Sequence, residues 1–348
     1  MTLQRSVPKL GQMTKTFEAA ATLDELNRVN DEQKAIFAAR VAADPNLIEE
    51  RQAAYLRRWS EALPHIRSGQ SVLDIGAGWP VPRVADAVFG HGSRYHVVDI
   101  DKDQIDAWAQ ELERRGQDGR NAKHSPNTVL PFADGSMDFI FSSHCIEHSP
   151  DLRATLSEMK RVLRPGGQAY LSVPFGFDDS DEHLLFLGVE EWLRVLEVAG
   201  FKVRSWTIGN TFTEGWDLSI LAASVGSFDG DEVENLDKAF QKPGRRLLAH
   251  DDPGFSYEDA NPQGPFTICR GFTLSSAADY LLFLRHEWSG IIELRDAQNT
   301  IKRVDLYDRA DHIEAVQVRG LQAPIDGRIV GRNASSRDDQ AVVYGALR

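Results

Sequence analysis

The chain has 348 residues, 42% hydrophobic and 26% charged, a composition typical of globular proteins and unlike that of disordered, collagen-like or membrane-spanning chains. Its length favours two domains, or one large domain with an appendage. The formal net charge of -13 disfavours nucleic acid as a partner, and two cysteines are too few for a disulfide framework, so we expect a reducing, cytoplasmic location. We also expect no membrane span, because no apolar run is long enough.

Residues 1–70 are predicted to form an N-terminal helical cover. Between residues 17 and 66 the segment is rich in Ala, Leu, Glu and Arg with helical spacing, interrupted at Asp44-Pro45-Asn46. This pattern predicts two amphipathic helices. The residues that would either cover a site as a lid or simply pack on the core are Tyr55, Arg57, Arg58 and Trp59.

In residues 71–227, short apolar runs alternate with helical segments, which predicts a βαβ series with a parallel sheet. The predicted strands are 71–75, 95–100, 137–143, 168–173, about 201–208 and 217–225. The predicted helices are 82–89, 102–115, 152–163 and 189–199.

The last third of the chain has a different pattern of apolar and polar residues. Residues 228–275 mix charges, Pro and Gly without clear periodicity, so we expect a connector there. Residues 276–348 contain six short β-prone runs separated by turn residues, which predicts a small antiparallel β-sandwich-like domain. These runs are 281–286, 291–294, 301–307, 313–318, 327–330 and 341–345. The domain either binds glycan, by analogy with other sandwich modules, or is a structural appendage through which a homo-oligomer forms.

The most informative segment is an apolar strand that enters a glycine-rich turn, Val72-Leu73-Asp74-Ile75-Gly76-Ala77-Gly78-Trp79-Pro80. Glycine has no Cβ, so the backbone can turn tightly and approach a ligand closely. About 20 residues further on, the next strand ends in Asp99-Ile100-Asp101. An acid there can accept hydrogen bonds from ribose hydroxyls. Asp99 is the first candidate for this role, and Asp101 is the alternative.

Two classes of cofactor suit such a turn. A dinucleotide needs Gly-x-Gly-x-x-Gly, so that its diphosphate meets the helix N-terminus, whereas Trp79 and Pro80 crowd that place here. S-adenosylmethionine contains ribose and adenine but no phosphate, and it would tolerate these residues. Asp74 would then face its positively charged amino-acid end. We predict that the cofactor-binding residues of this segment are Asp74, Gly76, Gly78 and Asp99.

Three further segments give a specific resemblance. Residues 130–138 (LPFADGSMD), 142–148 (SSHCIEH) and 161–167 (RVLRPGG) occur in the order and spacing found around strands four and five of class I S-adenosylmethionine-dependent methyltransferases, which residues 71–225 resemble. The resemblance implies a Rossmann-like seven-stranded sheet and S-adenosylmethionine as cofactor. It adds Leu130 and Ser143, within the matched segments, to the cofactor-binding residues. Two positions depart from the family pattern. Many members have a third glycine where this chain has Pro80, and the family often has an acid near the adenine where this chain has residues 125–127.

Histidines after strands four and five are the candidates for chemistry. Methyl transfer mainly requires that nucleophile, methyl and sulfur lie in line, but a hydroxyl acceptor also needs a base or a metal. His144 and His148, together with Glu147, would project to one side of a helical turn. His183 lies in an acidic loop just beyond strand five. We predict His144, His148 and His183 as catalytic residues.

A divalent cation is a further expectation. The resemblance to ubiquinone-pathway O-methyltransferases implies a metal site at Glu147 and His148, with His144 where that family has an acid. Alternatively, His148 bonds to backbone and Glu147 caps a helix.

The resulting hypothesis is O-methylation of a hydroxyl on a sugar, glycan or other small molecule, as in polysaccharide or natural-product biosynthesis. Its alternatives are N- or C-methylation of a small molecule, and a non-catalytic scaffold with a glycan-binding β-domain.

Overall fold

The computed structural model describes residues 46–348 except 91, 179–182, 213–214 and 242–244, and between 31 and 43 it describes residues 31, 34–35, 38–39 and 41–43. The predicted first N-terminal helix falls largely outside these residues. The predicted second helix corresponds to α1 (Leu47–Ala62). Trp59, which is fully buried, stacks on Phe141 with ring centroids 4.0 Å apart, and this contact fixes α1 on the face of the sheet.

Alternating strands and helices follow α1, as the apolar pattern predicts. In chain order they are β1 (Ser71–Ile75), α2 (Pro82–Gly90), β2 (Arg94–Asp99), α3 (Lys102–Arg114), β3 (Ala122–His124), β4 (Met137–Ser143), α4 (Leu152–Val162), β5 (Leu163–Pro174), α5 (Val189–Val198), β6 (Phe201–Phe212) and β7 (Gly215–Ser224). Short 3₁₀ turns lie at Leu63–His65, Gly119–Asn121 and Ile146–His148.

The strands form one seven-stranded sheet in the order β3-β2-β1-β4-β5-β7-β6. Strands β1 to β5 pair in parallel, whereas β7 runs antiparallel to both β5 and β6. All five residues of β1 are buried, because helices cover both faces of a parallel sheet. The predicted Rossmann-like seven-stranded sheet is confirmed.

Two antiparallel sheets form the C-terminal part of the chain. Their strands are β8 (Leu247–Ala249), β9 (Phe255–Glu258), β10 (Asn261–Gln263), β11 (Phe266–Cys269), β12 (Gly271–Leu274), β13 (Tyr280–Arg285), β14 (Ile291–Arg295), β15 (Ile301–Asp305), β16 (His312–Gln317), β17 (Ile325–Gly331) and β18 (Ala341–Leu347). One sheet runs β10-β11-β18-β13-β16 with β8 beside β18, and the other runs β15-β14-β17-β12-β9. Apolar side chains from both sheets share one core. The predicted antiparallel β-rich C-terminal part is confirmed.

The segment predicted as a connector, 228–275, differs from its prediction. It contains a helix, α6 (Gly230–Phe240), and five strands. Strands β8 and β11 pair with β18, and β12 pairs with β17, whereas β9 and β10 pair with β12 and β11 inside the segment. The strands are only three or four residues long, and β10 is wholly exposed. Such short strands contain too little alternation of apolar and polar residues to be predicted from the sequence. Where one unit ends and the next begins stays a prediction.

The C-terminal sheets pack directly against the segment that follows β5. Phe177 and Phe186 share an apolar cluster with Tyr280, Leu282 and Tyr344 of the sheet containing β13 and β18. The backbone N–H of Phe177 donates a 2.5 Å hydrogen bond to the carbonyl of Ile313 in β16. The C-terminal sheet thus holds the chain where it leaves β5.

Among the helices that the structure describes, none combines the length and the apolarity needed to cross a lipid bilayer.

Gly176→Ala is expected to destabilise the protein by about 1–3 kcal/mol more than Gly69→Ala. Both glycines have a φ of +81°, so both substitutions incur the same left-handed strain. A Cβ at Gly176 would lie 2.5 Å from the carbonyl oxygen of Ile313, whereas a Cβ at Gly69 would meet nothing within 4 Å. Urea unfolding of the two variants measures the difference. Equal losses would show that β16 does not constrain this segment.

Candidate active site

The candidate site lies at the edge of the sheet where β1, β2, β4 and β5 end. Ligands of open parallel sheets bind at this carboxyl edge. Because β7 runs antiparallel to β5, its first residues lie at the same edge, and Asp217 pairs with Pro174 at the end of β5. The reversed strand therefore brings an acid to the site.

The glycine-rich turn after β1 needs both of its glycines. Gly76 and Gly78 have φ values of +73° and +61°, in the left-handed region that favours glycine. A Cβ at Gly76 would also lie 2.6 Å from the Cβ and Sγ of Cys145, which follows β4. The turn and the end of β4 thus approach each other as closely as backbone and side chain permit.

Asp99, the last residue of β2, is held by backbone donors. Its Oδ2 accepts from the N–H of Gly78 at 3.0 Å, and its Oδ1 accepts from the N–H of Asp101 at 2.9 Å. Burial raises the pKa of Asp99 above its ordinary value. Asp101, the alternative acid, instead caps α3, where its Oδ1 accepts from the N–H of Asp103 at 2.9 Å. These contacts favour Asp99 as the acid beside the turn.

Asp74 is fully buried inside β1. The hydroxyls of Tyr95, at 2.5 Å, and of Tyr55 in α1 both donate to its Oδ2. Its Oδ1 accepts no hydrogen bond from any residue that the structure describes. Burial raises the pKa of Asp74 to about 7, although both tyrosine hydrogen bonds oppose the shift. A positively charged donor on a ligand would stabilise the ionised form of such a buried carboxylate.

Leu130 and Ser143 occupy two different surroundings. The N–H of Leu130 donates to Glu158 of α4 at 2.7 Å, and its carbonyl accepts from Arg161 at 2.7 Å, so α4 fixes the segment before β4. Ser143, the last residue of β4, accepts through Oγ a 2.9 Å hydrogen bond from Arg58. Ser143 lies at the site edge together with the turn.

His144 belongs to a buried network that no sequence pattern predicts. Arg58 of α1 donates to Asp217 Oδ2 at 2.5 Å, and the Nε2 of His144 lies 2.8 Å from Asp217 Oδ1 and 2.9 Å from the guanidinium. Burial alone would raise the pKa of Asp217, but His144 and Arg58 hold it below its ordinary value. Since Asp217 is the acceptor, the Nε2–H of His144 donates to it. The sequence predicts His144 as a catalytic residue and Arg58 as a lid or packing residue, but no local pattern marks Asp217 or joins the three.

His144 itself has an unusual backbone. Its φ of 50° lies in the left-handed region, which residues other than glycine rarely adopt, and its N–H bonds to the carbonyl of Ser172 in β5 at 2.9 Å. Such conformations are concentrated at functional sites, because the surrounding structure must compensate for their strain. The turn after β4 thus presents the ring of His144 between Asp217 and Glu147.

Glu147, His148 and His183 form a second group. One ligand atom from each of the three lies within 4.8 Å of the others. The predicted metal set, His144, Glu147 and His148, is arranged differently: His144 Nδ1 lies 3.5 Å from Glu147, while its Nε2 faces Asp217. The structure thus groups His183, rather than His144, with Glu147 and His148. The catalytic and metal roles of these residues stay predictions.

Comparison with known proteins matches the part of the chain that contains the glycine-rich turn, Asp99 and the turn after β4. Residues 73–171 match the family model described as "Methyltransferase domain". An uncharacterised methyltransferase of Mycobacterium sp. (strain JLS) is 38% identical over 136 residues, 37% of this chain and 51% of that protein. Phosphoethanolamine N-methyltransferase 2 of Caenorhabditis elegans is 33% identical over 195 residues, 53% of this chain and 43% of that protein. The chain spans about half the length of the curated relatives it matches.

Among solved structures, 1,6-didemethyltoxoflavin-N1-methyltransferase of Burkholderia thailandensis, with bound S-adenosylhomocysteine, is 21% identical. The TM-score is 0.47, and the match covers 60% of this chain and 94% of that one. The family match agrees with the resemblance: residues 73–171 match a methyltransferase domain, and they lie within a sheet that has the predicted Rossmann-like architecture.

Asp74→Asn is expected to flatten the pH dependence of stability in the ligand-free protein. Because the pKa of Asp74 rises from 3.8 to about 7 on folding, its contribution to stability is complete below the ordinary value and is lost as the pH rises through about 7. Between about pH 5 and about pH 8, the wild type should lose on the order of 2 kcal/mol more than Asp74→Asn.

Urea unfolding at both pH values measures this loss. The exposed Asp103, replaced in the same way, is the control and should keep the wild-type slope. Identical slopes for the wild type and Asp74→Asn would contradict the raised pKa.

Proposed function

We propose that the chain is a methyltransferase that transfers a methyl group from S-adenosylmethionine to a hydroxyl of a sugar, glycan or other small molecule. The observation that carries the proposal is the placement of His144. Its ring is held by Asp217 at 2.8 Å, at the same sheet edge as the glycine turn and Asp99. Cofactor-binding and proton-accepting groups would thus face one reaction space.

Two aspartates and the glycine-rich turn account for binding of the cofactor in this proposal. The carboxylate of Asp99, fixed by the N–H groups of Gly78 and Asp101, would accept hydrogen bonds from the ribose hydroxyls. Asp74 has a buried oxygen that accepts nothing from the described residues, and it would pair with the ammonium of the amino-acid end. The tight turn at Gly76 and Gly78 would bring the backbone against the cofactor.

The reaction needs one proton acceptor. A lone pair of the acceptor hydroxyl attacks the methyl carbon, the carbon–sulfur bond breaks, and its electrons remain on sulfur in S-adenosylhomocysteine. The proton leaves the acceptor oxygen for the Nδ1 of His144. Asp217 accepts from the Nε2–H of the same ring, so it orients the ring and stabilises the cation that forms. His148 and His183 remain candidates for contact with the acceptor.

Two alternatives remain: methylation of nitrogen or carbon instead of oxygen, and a scaffold that catalyses no reaction. The names of relatives include an N-methyltransferase of phosphoethanolamine and a demethylmenaquinone methyltransferase of Bacillus velezensis, so they do not select oxygen. A non-catalytic scaffold would have no need for Asp99 and Asp74 to be held beside a glycine turn. A glycan-binding role or a homo-oligomeric interface of the C-terminal sheets is part of the same proposal.

Asp99→Ala is expected to weaken binding of S-adenosylmethionine about 10- to 100-fold, because hydrogen bonds to a charged group are lost. Titration calorimetry measures the affinity. Asp99→Asn keeps an acceptor oxygen and should lose less, and the exposed Asp103→Ala should bind as the wild type does. Unchanged affinity in Asp99→Ala would remove the basis for the assigned cofactor site.

His144→Gln is expected to lower kcat about 10²- to 10⁴-fold, the usual range for loss of a general base, with little change in cofactor affinity. A panel of acceptors with isotopically labelled methyl donor identifies the substrate, and NMR locates the methyl group. The exposed His65, whose 3₁₀ turn precedes β1 at the opposite sheet edge, provides the control His65→Gln. A methyl found on nitrogen or carbon, or full activity in His144→Gln, would contradict the proposed reaction.

A further inference from the structure

The side chains of Glu147, His148 and His183 face one another although they come from different loops. Glu147 and His148 belong to the 3₁₀ turn after β4, and His183 follows β5. One ligand atom from each lies within 4.8 Å of the other two, and the two imidazole rings have centroids 4.9 Å apart. Two imidazoles and one carboxylate are a common ligand set for divalent metal ions.

Glu147 supplies an independent observation. Its side chain is 1% exposed, and among the described residues neither of its oxygens takes part in a hydrogen bond. The imidazole nitrogens of His144 and His148 lie 3.5 and 3.7 Å from its Oε1, beyond ordinary hydrogen-bond distance. A buried carboxylate without donors is costly, and a bound cation removes that cost.

The surroundings of His183 fit the role of a metal ligand. Its Nδ1 lies 2.5 Å from Asp178 Oδ2. Histidines that bind metal usually donate their other N–H to a carboxylate, which fixes the tautomer and the orientation of the ring. With Nδ1 engaged by Asp178, Nε2 is the nitrogen that would bind the metal.

We propose that Glu147, His148 and His183 bind one divalent transition-metal ion, of the class of Zn²⁺, Mn²⁺, Fe²⁺ or Co²⁺. Two imidazole ligands favour such ions over Mg²⁺ and Ca²⁺, which prefer oxygen. His144 is outside this set because, although its Nδ1 lies 3.5 Å from Glu147, only the ligand atoms of Glu147, His148 and His183 lie within 4.8 Å of one another among the described residues. The site therefore differs from the His144, Glu147 and His148 set that the sequence resemblance implied.

Three protein ligands leave at least one coordination position open. That position would take water or an oxygen of the methyl acceptor, which would orient the acceptor beside His144. The orientation of the acceptor by the ion rests on the proposed function, whereas binding of the ion does not.

Metal binding by the full chain, made metal-free with chelator, tests the site without acceptor or cofactor. Calorimetry with Zn²⁺ should show one tight site, and Co²⁺ should give the visible absorption bands of a protein-bound ion. We expect His183→Ala and Glu147→Gln to lower the affinity at least about 100-fold, and Asp178→Asn to lower it about 10- to 100-fold.

Two variants serve as controls. His65→Ala should bind the ion as the wild type does, because His65 lies at the opposite sheet edge. His144→Ala should retain the site, which separates this ligand set from the one implied by resemblance. Far-UV circular dichroism and binding of S-adenosylmethionine check that each variant is folded. If His183→Ala does not fold, His183→Gln replaces it.

Absence of a one-to-one complex in the wild type, or unchanged affinity in His183→Ala and His183→Gln, would overturn the proposed site. Loss of the site in His144→Ala would overturn it too, in favour of the set with His144. The proposed methyltransferase activity fails separately, through loss of cofactor binding or of methyl transfer in the wild type.

Discussion

The buried ion pair between Arg58 and Asp217 joins α1 to β7, the strand that runs antiparallel to its neighbours in the sheet. The two residues are separated by 159 positions in the sequence, and both are only 2% exposed. Charges in such surroundings are tolerated only when paired, and removal of one partner typically costs about 3–5 kcal/mol. The pair therefore fixes the position of α1 together with the stacking of Trp59 on Phe141. The same helix carries Tyr55, which donates to Asp74, so α1 links the network of Asp217 and His144 to the buried carboxylate of β1.

A second constraint acts from the C-terminal sheets. The segment after β5 leaves the sheet at Pro174, bonds to the carbonyl of Ile313 through Phe177, and then carries Asp178 and His183 back towards Glu147. This attachment consists of a backbone hydrogen bond to β16 and an apolar cluster, so its geometry depends on the fold of the C-terminal sheets and not on flexible side chains. This gives the C-terminal sheets a structural role at the site, whether or not they bind a ligand of their own.

The sequence predicts the parts of this architecture whose signals are local. Strand β4 has the predicted bounds, and the glycine turn is contiguous with its apolar strand, so both are visible in a short window. Strand β3 has only three half-buried residues and shows no such pattern. The pairing of Arg58 with Asp217, and of His183 with Glu147, depends on strand order and on the reversal of β7. Neither follows from spacing along the chain.

Three histidines share one sheet edge, yet their surroundings divide them into two kinds. His144 donates its Nε2–H to Asp217, which also accepts from Arg58, and its Nδ1 lies 3.5 Å from Glu147. His148 and His183 face the buried Glu147, a carboxylate that has no hydrogen-bond donor among the described residues and that favours a cation. The position of each ring, rather than the residue type, is thus what assigns His144 to the proposed proton transfer and His148 and His183 to the proposed metal site. Because Asp217 arrives on the antiparallel β7 and His183 on the loop that β16 holds, this division follows from the topology of the whole chain.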